Sequence, residues 1–97
     1  MGMYTKWAVR VPLRADALFS SLKAGLAHCE RGDQVVENLS LVGGVLEGCG
    51  EMKNYDDELG ELERWVIRNV DIDRVPSGSP VLIRWYEEDD FPNITVL

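Results

Sequence analysis

Two adjacent glycines, Gly43 and Gly44, constrain this 97-residue chain more than any other feature. They follow the apolar run Val35-Val36-Glu37-Asn38-Leu39-Ser40-Leu41-Val42 and precede Val45-Leu46-Glu47-Gly48-Cys49-Gly50. A tight two-residue hairpin needs positive φ at its central residues, which glycine supplies without a Cβ clash. A helix through Val35, Leu39, Val42 and Leu46 has workable spacing. The glycines at 43, 44, 48 and 50 would each cost it about 1 kcal/mol. Residues 35–52 therefore read as two strands joined by a hairpin.

The flanking segments alternate between the two periodicities. Residues 4–11 place Trp7, Val9 and Val11 on one side and Lys6, Ala8 and Arg10 on the other, a half-buried strand that Pro12 ends. From Ala15 to Arg31 the apolar spacing turns helical, with Leu18, Leu22, Leu26 and Cys29 on one stripe and Phe19 beside them. Asp16 in the first turn, Arg31 in the last and Gly32 just beyond follow the order that the helix dipole and a left-handed cap favour. A second helix is expected from Asn54 or Tyr55 to Val70, with Tyr55, Leu59, Leu62, Val66 and Val70 buried and Asn54 as its cap. Gly60 is a mild defect in it. Pro76-Ser77-Gly78-Ser79-Pro80 reads as a loop and Val81–Tyr86 as a strand, with Val81, Ile83 and Trp85 on one face and Leu82, Arg84 and Tyr86 on the other.

Strand, helix, strand, strand, helix, strand is the order of an α+β, ferredoxin-like split βαβ (βαββαβ) fold. The expected architecture is one antiparallel sheet with two helices on one face, plus a short C-terminal strand at Ile94–Leu97. The expected core is Trp7, Val9, Val11, Leu18, Phe19, Leu22, Leu26, Leu39, Leu41, Val45, Leu59, Leu62, Val66, Val81, Ile83 and Trp85. A single compact domain over residues 1–97 fits the length, with Met1-Gly2 read as a cloning remnant.

Composition excludes several classes. With 45% apolar and 28% charged residues, the chain is too apolar for disorder, and no apolar run approaches the roughly 20 residues of a membrane span. The amino terminus lacks the charged segment and apolar stretch of a signal peptide, so a cytoplasmic protein is expected. Cys29 and Cys49 read as reduced thiols with at least one in the core. Residues 1–50 hold five acids and five bases, whereas residues 51–97 hold twelve acids and five bases, so the entire net charge of −7 lies in the second half. That half argues against nucleic acid and anionic membranes as partners.

The residues offer little catalytic chemistry. The one histidine, His28, adjoins Cys29, which on a helix points about 100° away and cannot serve as a dyad partner. His28, Cys29 and Cys49 lack paired metal-ligand spacing, and the glycines form no phosphate loop. No catalytic residue, metal or cofactor is assigned, and the chain reads as a non-enzyme. No stretch resembles a known family closely enough to name one.

Two surface features stand out. Glu87-Glu88-Asp89-Asp90, followed by Phe91, reads as a solvated loop tip or as a contact for a basic partner with Phe91 as its anchor. Under the proposed topology the first and fourth strands are neighbours, and Lys6, Arg10, Arg84 and Tyr86 would share the open sheet face. That patch would suit an anionic ligand or a homodimer contact. The expected function is a non-enzymatic protein–protein interaction domain, such as a small inhibitor, immunity-type protein or regulatory subunit, docking its acidic half on a basic partner surface. The alternative is a small-molecule-binding domain or small carboxylate-using enzyme with its site at a homodimer interface.

Overall fold

The structure is a computed structural model that describes residues 4–53 and 56–97. Met1-Gly2, Asn54 and Tyr55, to which the sequence reading gave roles, lie outside the described residues. Strand β1 (Tyr4–Pro12) is the alternating segment and runs through the middle of the sheet. Its odd residues Thr5, Trp7, Val9 and Val11 are buried, while Lys6 and Arg10 are exposed, as the period-2 pattern requires.

The Gly43-Gly44 turn is a hairpin. Its φ values are +60° and +76°, and it joins β2 (Leu39–Val42) to β3 (Val45–Lys53) with Val42 opposite Val45. Two positive φ values match the twist of the flanking strands. Strand β3 then pairs with β1 along the full length of both, from Tyr4 opposite Lys53 to Pro12 opposite Val45. On the other side, β4 (Pro80–Tyr86) pairs with β1, and β5 (Asn93–Val96) pairs with β4. The result is a five-stranded antiparallel sheet in the order β2-β3-β1-β4-β5.

Among the described residues three α-helices accompany the sheet, one more than the sequence pattern predicts. The expected helix over 15–31 is confined to α1 (Phe19–Leu26). Gly32, expected to stop it, instead opens a second short helix, α2 (Gly32–Glu37). Val35, Val36 and Glu37 are therefore helical rather than strand, and β2 begins only at Leu39. Tertiary packing overrides β-propensity here, because α2 delivers Val35 fully into the core. Helix α3 (Asp56–Asn69) matches the second expected helix and buries Leu59, Leu62, Trp65 and Val66. Its end is tied to β1, as Arg14 N–H donates to Asn69 C=O at 2.9 Å and Asp71 N–H donates to Pro12 C=O at 2.9 Å.

The core joins Leu22, Leu26, Val35, Leu59, Leu62, Trp65 and Val66 of the helices to Trp7, Val9, Val11, Leu46, Met52 and Leu82 of the sheet. These strand residues share one face, because Trp7 lies opposite both Gly50 and Arg84, and Val9 opposite both Gly48 and Leu82. The shortest principal extent is 18 Å, which accommodates a sheet and one helix layer but not two. Among the described residues no α-helix lies over the other sheet face.

Strand β4 has the opposite orientation from the sequence reading. Leu82 is fully buried and Trp85 is 41% exposed, whereas Val81, Ile83 and Trp85 were the expected inward set. Val81 is nonetheless buried, because Val75 and Pro76 close over that end of the uncovered face. Leu18 and Leu41 are also exposed, and Phe19, Leu39, Val45 and Ile83 are half-buried. Leu18 precedes α1 rather than lying within it, and Leu41 is on the edge strand β2.

Candidate functional site

The uncovered sheet face is built from the even residues of β1 and the odd residues of β3 and β4. Across its middle runs Cys49, Ala8, Ile83 and Ile94, each opposite the next. A neighbouring row holds Glu51, Lys6 and Trp85. Ile94 and Val96 on the edge strand are about half exposed. Apolar side chains thus form a continuous band from Cys49 to β5, with charge at its margins. Covering the exposed part of Trp85 alone would remove roughly 60–100 Å² of apolar surface, worth about 2 kcal/mol.

The acidic segment lies at one end of this face. Glu87 and Glu88 form the turn after β4, closed by the Asp89 N–H donating to Tyr86 C=O at 3.1 Å. Glu87 Oε2 accepts the Tyr4 N–H at 3.1 Å, which fixes the base of the turn to β1. Glu87, Glu88, Asp89 and Asp90 are all exposed, and Phe91 is 81% exposed, the most of any large apolar side chain described. Glu87 and Trp85 line one groove together with Tyr4, Lys6, Glu51 and Tyr86, so the tip and the apolar band are contiguous.

The expected basic patch is divided between two faces. Lys6 and Arg10 do stand on the uncovered face, where Arg10 Nε meets Glu47 Oε1 at 3.0 Å. Arg84 and Tyr86 are on the helix side. There Arg84 Nη2 donates to Glu63 Oε2 of α3 at 2.8 Å, and Thr95 Oγ1 of β5 donates to the same oxygen at 2.7 Å. Glu63 thereby ties α3 to two strands. An alternating strand carries two candidate faces, and the carboxylate that accepts Arg84 comes from a helix about twenty residues earlier in the chain. Trp85, directly opposite Lys6, takes the place assigned to Tyr86.

One buried carboxylate elsewhere ties two helices together. Glu58 is buried, and its Oε1 accepts the Arg31 N–H at 3.0 Å, anchoring the start of α2 to α3. Among the described residues no group of three or more His, Cys, Asp or Glu side chains is placed to hold a metal ion. No described helix is long and apolar enough to cross a membrane.

Both cysteines are free, and neither is in the core: Cys29 is half-buried and Cys49 exposed. Burial pushes the Cys29 thiol up, and the Glu58, Glu61 and Asp57 carboxylates push it further. Fewer thiolates form there at neutral pH, and the thiolate is the reacting species. Mass spectrometry of a limited iodoacetamide reaction is expected to show Cys49 modified first. Faster loss of the Cys29 thiol would contradict this environment.

Comparison with protein-family models, with curated proteins and with solved structures returned no match to this chain. The functional reading therefore rests on the surface itself.

Proposed function

We propose that this protein is a non-enzymatic interaction domain whose uncovered sheet face docks on a protein with an apolar patch rimmed by basic residues. The observation that carries this reading is the position of Trp85. It stands on the uncovered face two residues along β4 from Ile83, whose partner across the edge is Ile94, and lines a groove that it shares with Glu87. An aromatic anchor in an apolar centre with charge at the rim is the usual anatomy of a protein interface. The net charge of −7, all from residues 51–97, supports a basic partner, and the exposed tip would steer its approach. Inhibition or regulation of that partner is the activity such docking would serve. The run β2-β3-β1-β4 also supports a ferredoxin-like reading of the fold, with β5 and α2 as additions. The two free thiols support a cytosolic setting.

Binding kinetics at two ionic strengths test the proposal, using a partner captured by the wild-type chain. Trp85→Asp is expected to abolish capture while leaving the fold intact. Replacing Glu87, Glu88, Asp89 and Asp90 with Ser or Asn is expected to slow association and flatten its salt dependence, because added salt screens exposed charges beyond about 8–10 Å. Phe91→Ala is expected to raise the dissociation rate with little salt dependence. Capture undiminished by Trp85→Asp would overturn the docking face. A wild-type dimer that Trp85→Asp dissociates would place a second copy there instead.

A further inference from the structure

At the end of the sheet away from the acidic tip lies a cavity of about 460 Å³, within the size range of small-molecule sites. Its lining includes two arginines, Arg10 and Arg74, and no carboxylate. Among the described residues Arg10, Arg14, Arg64 and Arg84 form ion pairs with carboxylates, so the cavity joins one paired arginine to Arg74. Arg10 is held by Glu47 through Nε alone, at 3.0 Å, which leaves its outer guanidinium N–H groups available. Arg74, exposed at the end of the 3-10 turn Ile72–Arg74, has no carboxylate within ion-pair distance among the described residues. Its guanidinium rests against the hairpin at Gly44, with Nη1 3.6 Å from where a Cβ would stand.

The remaining walls are stiff and mostly apolar. Pro12, Val45, Val75, Pro76, Pro80 and Val81 supply them, and Val81 is only 2% exposed. Ser79 adds a hydroxyl at the rim, on a turn closed by its own N–H donating to Pro76 C=O at 3.0 Å. Proline limits the motion of that rim, so a ligand would order little of it.

We infer that this cavity binds a small organic anion, a carboxylate or phosphate ester whose charged head meets Arg10 and Arg74 and whose apolar body lies on Val45 and Val75. Guanidinium forks match the paired oxygens of either head group, and the apolar wall favours a ligand with a hydrocarbon part over a bare ion. The inference does not depend on the docking face, because the arginine cavity and the Trp85 groove have no lining residue in common.

Nitrogen-15 chemical-shift titrations of the whole chain test it, with phenyl phosphate, benzoate and inorganic phosphate as separate probes. Saturable shifts are expected at the amides of Val45, Ser79 and Val81 with at least one of the two aromatic anions. Inorganic phosphate should bind several-fold more weakly than phenyl phosphate. The better of the two aromatic probes assigns the head group as phosphate or carboxylate. Arg74→Gln should weaken that probe by about tenfold or more, the usual consequence of losing a charged hydrogen bond. Arg68→Gln, at an exposed position that does not line the cavity, should leave it unchanged. Lack of saturable shifts with either aromatic probe at millimolar concentration would overturn the inference. So would equal weakening by Arg68→Gln, or shifts confined to other parts of the chain.

Discussion

Replacing Trp65 with alanine is expected to cost about 3–5 kcal/mol, whereas the same change at Trp85 should cost about 1 kcal/mol or less. Trp65 is 2% exposed in the centre of the core, and its indole N–H donates to Ser21 Oγ at 2.8 Å, linking α3 to α1. Truncation leaves a cavity that neither helix can fill without moving the other. The lost hydrogen bond adds little, because Ser21 is exposed and its hydroxyl also donates to Leu18 C=O at 2.6 Å. Trp85 stands on the uncovered face, where water already reaches much of its ring. Urea unfolding of the two variants, with slopes that match the wild type, measures the contrast. Equal losses, or a larger loss at Trp85, would mean that β4 presents its other face to the helices.

Gly32→Ala is expected to destabilise the fold by about 3 kcal/mol, the upper part of the range for overpacking. A Cβ at this buried position would lie 1.8 Å from the Leu26 carbonyl oxygen, which belongs to the backbone at the end of α1. Flexible side-chain motion cannot relieve that contact, so α1 and α2 would have to separate. Separation would also withdraw Val35 from the core and strain the hydrogen bond from the Arg31 N–H to Glu58. An unchanged urea midpoint in Gly32→Ala would show that the junction between α1 and α2 is not closely packed.

Three elements were legible because local chemistry alone decides them. The Gly43-Gly44 turn depends on a backbone conformation that few other residues adopt, and it formed where the pair predicted. The alternation over residues 4–11 and the apolar stripe of α3 each bury one face on a period that is visible in the sequence. The acidic tip was equally readable, since four consecutive carboxylates before Phe91 have no low-energy place except in water.

Other features depend on partners distant in the chain. Gly32 carries the same local signal whether it stops a helix or lets two helices touch, and only the approach of Leu26 distinguishes these. The strand Pro80–Tyr86 offers an apolar residue on both faces at nearly every step, so its pattern does not specify which side meets the helices. Glu63 on α3 receives Arg84, and Leu82 fills the core, which turns Trp85 outward. That single orientation splits Lys6 and Arg10 from Arg84 and Tyr86 and leaves an aromatic side chain beside the acidic tip. Arg74 joins Arg10 at the arginine cavity only because the segment after α3 folds back over the sheet end. The sequence by itself determined where the chain turns and which stretches carry an apolar face, since those follow from backbone sterics and periodicity. Tertiary structure decided which face of β4 is covered and which charged groups meet, because both depend on contacts between residues far apart in the chain.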